Sequence, residues 1–180
     1  MPCDYLFKGS MGTASQDELY MRATAEFGPA LARLARAYEA DPQLRLDLLQ
    51  DIHFALWRSF SSFAGQCSMR TWVYRVAHNV GISRNVRRRR PALTSLEELA
   101  EMTAQDSPED KAHAAHALAT LQSLIRKLKP PDDQVMLLYL EDMDAAAIGD
   151  VTGLSARAVA TRIHRIKLLL SRHFRQGEAP

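Results

Sequence analysis

From Asp144 to Phe174 the chain reads DAAAIGDVTGLSARAVATRIHRIKLLLSRHF, and no other stretch narrows the possible folds so far. It spells a short helix, a tight turn at Thr152-Gly153-Leu154, and a longer helix opening at Ser155, whose hydroxyl can cap the first free backbone N–H groups. This is helix-turn-helix grammar. On a 3.6-residue wheel Val159, Ile163, Ile166 and Leu170 form one apolar stripe, while Arg157, Thr161, His164, Arg165 and Arg172 collect opposite it. Between Ala156 and Arg175 there are six Lys or Arg residues and no Asp or Glu, so the outward face would meet a polyanion favourably. A solvated surface helix is the plain alternative. The short first helix, glycine turn and hydroxyl cap tip the reading towards duplex DNA.

Charge is unevenly spread upstream of this motif. The net +2 of the 180 residues divides into +5 over residues 1–90, −5 over 91–120 and +2 over 121–180. Two basic lobes flanking an acidic connector suit a protein that touches nucleic acid at two separate places. At 47% apolar content the chain can bury a core, and no apolar run approaches the ~20 residues of a membrane span. Cys3 and Cys67 lack any C-x-x-C spacing and read as free thiols in a reducing compartment, the cytoplasm.

Residues 1 to about 20 lack periodicity and read as a mobile tail, within which Met11 is an alternative start, as is Met21 just after it. A helix over Arg22 to Ala40 follows, ended by Asp41-Pro42. The next helix, about Pro42 to Phe60, has more apolar surface than one core face needs. Its stripe of Leu46, Leu49, His53, Leu56, Trp57 and Phe60 reads as core. A second stripe, Asp47, Asp51, Phe54 and Arg58, is either solvated surface or a docking face for a partner protein, since an aromatic flanked by charges is a common anchor composition.

After a loop, SSFAGQCSM, the segment Arg70 to Arg90 is RTWVYRVAHNVGISRNVRRRR, with seven arginines and no acid. Val73, Val76, Ala77 and Val80 mark its apolar side, and Arg75, His78, Asn79, Asn85 and Arg89 its far side. Arginine's planar fork suits phosphate, and Phe63, Trp72 and Tyr74 could stack on an unpaired base, which favours melted over duplex nucleic acid. Trp72 as plain core and Arg87 to Arg90 as a basic tail are the alternatives. Pro91 to about Asp110 is an acidic linker, after which a helix from Pro108 to Lys129 packs through Ala112, Ala115, Leu118, Leu121, Ile125 and Leu128. His113 and His116 are spaced for a metal, but no further ligand completes a set. Pro130-Pro131 breaks the chain before a short apolar helix, Asp132 to Leu140. No nucleophile-and-base pair, metal set or phosphate loop marks an enzyme, and no cofactor is called for.

Taken together these segments resemble the extracytoplasmic-function sigma factors, the smallest sigma subunits of bacterial RNA polymerase. Asp47-Leu48-Leu49-Gln50-Asp51 with Trp57 resembles the family's region 2.2. Phe63 with Arg70-Thr71-Trp72-Val73-Tyr74-Arg75-Val76-Ala77-His78-Asn79 and the arginine run resembles regions 2.3 and 2.4, and Leu128 to Phe174 resembles region 4. The resemblance implies an all-α protein of two small helical domains: sigma domain 2 over 21–90 and a helix-turn-helix domain 4 over 111–176, joined by the acidic linker 91–110. It implies that Asp47, Gln50, Asp51 and Phe54 bind the β′ clamp helices of core RNA polymerase. Phe63, Arg70, Trp72, Arg75, Asn79, Arg84, Arg87 and Arg88 would open and read the minus-10 element. Ser155, Arg157, Thr161, Arg162, His164 and Arg165 would read the minus-35 element, with domain 4 also on the β flap tip. The linker would run towards the RNA exit path, and an anti-sigma factor is an implied regulator. The chain departs from the family at Ala147-Ile148-Gly149, where an acidic residue, isoleucine and alanine are usual. Two further readings stand beside this one: a stand-alone helix-turn-helix repressor or activator, which leaves Phe63 to Arg90 without a task, and an RNA-binding adaptor, which leaves the terminal motif without one.

Overall fold

The computed structural model describes residues 15–87 and 113–176, which fall into two compact units divided after Ser83. The described elements are α-helices with one short 3-10 turn. The expected linker and residues 1–14 of the expected tail lie outside the described residues.

The first unit opens earlier than its apolar periodicity suggests. Helix α1 spans Gln16–Tyr38, because Ser15 accepts from the Glu18 N–H while the Glu18 carboxylate accepts from the Ser15 N–H, a reciprocal capping box. Residues 16–20, expected in the tail, are therefore helical. Helix α2, Pro42–Ser59, starts at an Asp41 cap with proline in its first turn. A 3-10 turn, Phe60–Ser62, and a loop lead to helix α3, Met69–Arg87. The Ser68 hydroxyl accepts from the Thr71 N–H to start α3.

Leu31, Leu34 and Tyr38 of α1, Leu48, Ile52 and Leu56 of α2, and Val73, Tyr74, Ala77 and His78 of α3 form the core of this unit. On α2 the buried face is turned about 90° from the expected stripe at ~100° per residue. Leu46 is 61% exposed and Trp57 40%, and Leu49 and His53 are half-buried. On α3 the sequence reading placed His78 outward, yet the residue is fully buried, and Val76 and Val80 are only half-buried. The reason is a polar tether: His78 Nδ1 lies 2.7 Å from the Tyr38 hydroxyl, and the rings meet edge to face. At Gly81 the α3 backbone passes so close to the same tyrosine that a Cβ would come 2.7 Å from its ring.

The second unit contains α4, His113–Lys127; α5, Asp132–Leu140; α6, Ala145–Thr152; and α7, Ala156–Gln176. Its core is aliphatic: Leu124, Ile125 and Leu128, then Val135, Leu137 and Leu138, then Ile148, and finally Val159, Ile166, Leu169 and Leu170. The side chains of His113 and His116, the expected metal-compatible pair, lie outside the described residues.

Candidate nucleic-acid interface

The terminal motif is built as its residues dictate. Asp144 Oδ1 accepts from the Ala147 N–H at 2.8 Å to start α6. The helix ends at Gly153, whose φ of 78° is left-handed and whose N–H returns to the Gly149 carbonyl at 2.8 Å. A Cβ on Gly149 would come 2.6 Å from the Leu154 carbonyl oxygen, so the missing side chain is what lets α6 close on the turn. That accounts for the glycine where the sigma pattern usually has alanine. Ser155 Oγ accepts from the Ala158 N–H at 3.2 Å and starts α7.

Val159 and Ile166 hold α7 from below, with Ile163 half-buried beside them. Arg157, Thr161, His164 and Arg165 are exposed within an arc of about 100° at 3.6 residues per turn. The Thr161 hydroxyl donates to the Arg157 carbonyl at 2.9 Å, which leaves its lone pairs facing outward. Arg162 is placed differently from these four. Its Nη1 donates to Asp132 Oδ1 at 2.5 Å, at the start of α5.

Beside the arc, α5, the following loop and α7 border an open groove of about 480 Å³ lined by Tyr139, Met143, Ile163, Lys167 and Leu168. Lys167 Nζ reaches the Tyr139 hydroxyl at 3.3 Å and lies 5.3 Å from the ring centre.

In the first unit two surfaces emerge. On α2 the exposed residues Leu46, Trp57, Gln50, Phe54, Asp47 and Asp51 occupy an arc of about 140°. Gln50, Phe54, Asp47 and Asp51 were expected there; Leu46 and Trp57 were assigned to the core. Their signal was in the sequence as apolar residues in excess of one core stripe. Phe54, 63% exposed, stacks on Trp57 at 6.5 Å between centroids, and the Trp57 indole N–H donates to Asp17 Oδ1 at 2.8 Å. On α3, Trp72, Arg75 and Asn79 share the outward side within about 60°. Arg70 falls about 180° from Asn79 and lies over the Tyr74 ring, while Arg84 falls about 180° from Arg75. The structure therefore brings three of the expected minus-10 residues together on the outward side of α3 and sets two apart. Arg87 lies at the end of α3 with its side chain outside the described residues, as is the whole of Arg88.

Phe63 and Trp72 close the loop between α2 and α3. Their rings lie 5.2 Å apart, Phe63 meets Phe60 edge to face, and the Trp72 indole N–H donates to Ser59 Oγ at 2.9 Å. Trp72 is half-buried, between the two alternatives posed for it.

Residues 24–91 match Sigma-70 region 2, and residues 118–170 match Sigma-70, region 4. Over 131 residues, 71% of this chain and 75% of the relative, the sequence is 30% identical to RNA polymerase sigma factor YlaC of Bacillus subtilis (strain 168). The chain belongs to the sigma-70 family. Its extracytoplasmic-function character is carried by the ECF RNA polymerase sigma factor SigW of the same organism, 26% identical over 155 residues that make up 79% of each protein. The solved structure of CnrH in complex with the cytosolic domain of CnrY has the same fold, with a TM-score of 0.66 and 24% identity over 93% of both chains. The sigma factor described here is thus an alternative sigma subunit that directs transcription initiation, in a family that catalyses no reaction of its own. Among the described residues no helix is long and apolar enough to cross a membrane.

Proposed function

We propose that this sigma factor divides promoter recognition between three surfaces. The exposed arc of α2, with Asp47, Gln50, Asp51 and Phe54, docks on the β′ clamp helices of core polymerase, and Leu46 and Trp57 widen that patch. Phe63 and the outward side of α3, with Trp72, Arg75 and Asn79, open the minus-10 element and read its non-template strand, assisted by Arg70, Arg84, Arg87 and Arg88. The arc of α7, with Ser155 at its start, enters the major groove of the minus-35 element. The groove beside α7 suits the β flap tip, and the acidic linker suits the RNA exit path. The protein acts in the cytoplasm with the polymerase. An anti-sigma factor is a fitting regulator, a proposal that starts from CnrH having been captured with the cytosolic domain of CnrY.

The observation that supports this division best is the exposed Phe54–Trp57 pair framed by Asp47 and Asp51 on α2. A stacked aromatic pair in water is out of place on a free surface and at home in an interface. Titrating labelled core polymerase with Asp51→Ala and Phe54→Ala variants tests it. Both should weaken core binding, Phe54→Ala by about 2 kcal/mol or more. Unchanged affinity in both would remove α2 as the docking helix.

A further inference from the structure

The family resemblance implies a DNA contact for Arg162, and the fold pairs it with Asp132. At ~100° per residue Arg162 lies about 20° round α7 from Leu169 and about 40° from Ile166, both buried, and about 140° from Arg157. Its guanidinium reaches back across 30 residues of chain to Asp132, with the two side chains only 36% and 18% exposed. Asp132 sits in the first turn of α5, where the helix dipole favours a carboxylate, so the acceptor is itself held in place.

Apart from this pair and the exposed Lys167–Tyr139 contact, α5 and α7 meet through aliphatic side chains. Val135 and Leu138 on one side and Val159 and Ile166 on the other resist separation, but non-directional burial resists rotation of a helix about its axis poorly. A charge-assisted hydrogen bond is short and directional, and a sparingly solvated pair is a means of fixing one geometry. We infer that Arg162 is a positioning residue: through Asp132 it sets the rotation of α7, and so the direction in which Arg157, Thr161, His164 and Arg165 point, without touching DNA itself. This rests on reading α7 as the minus-35 recognition helix.

The sign of one substitution separates the roles. Asp132→Asn deletes a negative charge near a DNA-binding helix. Were Arg162 a DNA contact for which Asp132 competes, the change would release its guanidinium and tighten binding. As a positioning pair, Asp132→Asn should reduce the preference of the reconstituted holoenzyme for an intact over a scrambled upstream element by roughly tenfold. The exchange Asp132→Arg with Arg162→Asp should restore most of that preference, since the pair is re-formed in reverse. Arg162→Gln should leave the slope of log affinity against log salt unchanged, where loss of a phosphate contact would lower it by about one. Arg165→Ala is the control for a residue on the exposed arc. Preference retained or increased in Asp132→Asn, or a reduced salt slope in Arg162→Gln, overturns the inference. A wild-type holoenzyme indifferent to the upstream element would instead overturn the assignment of α7 itself.

Discussion

The two units of this sigma factor both present cationic helices, but they fasten them differently. The first beds α3 on Val73 and Ala77 and ties its rings by hydrogen bonds to earlier elements, His78 to Tyr38 and Trp72 to Ser59. The second holds α7 on an aliphatic bed, to which the Arg162–Asp132 ion pair and the Lys167–Tyr139 hydrogen bond are added. The difference matches the proposed tasks. A segment that must open DNA and receive single bases needs a loop of set shape, which directional bonds provide. A helix that enters a regular groove needs chiefly a firm support, which burial provides.

The contrast predicts unequal costs. Ile148, fully buried on α6, should cost about 2–5 kcal/mol when cut to alanine, measured as amide exchange across α6 and α7. Upstream-element preference should fall with it. A cost under about 1 kcal/mol, the usual net worth of a single hydrogen bond, would break the comparison.

Acid should move the two units in opposite directions. Burial pushes the His78 imidazole down to about 3, so the unfolded chain takes up a proton near pH 6.5 that the folded unit refuses. That contribution is fully present above pH 6.5 and is lost as pH falls, by roughly 2 kcal/mol between pH 7 and 5. Burial, reinforced by the charge of Asp132 and opposed by the Gln134 N–H, pushes the Asp133 carboxyl up to about 6. Its contribution is greatest below pH 3.8 and is lost as pH rises through about 6, so the same acidification returns about 1 kcal/mol to the second unit. Both tryptophans, Trp57 and Trp72, lie in the first unit, so their fluorescence reports its unfolding alone. The gap in stability between wild type and His78→Gln should narrow from pH 7 to 5, and the benefit of Asp133→Asn should grow from pH 5 to 7. Gaps that do not vary with pH would contradict the opposition.

The smallest effect is expected at Trp72→Phe, which keeps an aromatic ring against Phe63 while removing the bond to Ser59 and a part of the packed ring. It should cost about 1 kcal/mol in urea unfolding and slow promoter opening while sparing core binding. An unchanged opening rate would show that the tether does not shape the loop.

How much of this was legible in the sequence follows the same divide. The terminal motif is legible nearly residue by residue, because aliphatic periodicity, a left-handed glycine and a serine cap each have one local meaning. The first unit was read in outline only. Its buried His78 is a polar-tipped residue whose partner, Tyr38, lies 40 residues away in the chain, so a wheel sends it outward. On α2 apolar residues occupy two arcs, and only packing against α1 decides that Leu48, Ile52 and Leu56 face in while Leu46 and Trp57 face out. The start of α1 was missed although its signal, Ser15 three residues before Glu18, was present. Arg162 is the reverse case: the wheel leaves it off the cationic face, family likeness puts it among the contacts, and the fold pairs it with Asp132.

The central claim is that one chain couples core polymerase to a promoter through separate surfaces for melted and duplex DNA. Run-off transcription with purified chain and core polymerase on a promoter library, with permanganate mapping of unpaired thymines, tests it most directly. Initiation from a defined promoter class is expected, with unpaired thymines at the downstream element only when core polymerase is present. Tight duplex binding by the chain alone, with no transcript and no association with core polymerase, would contradict it.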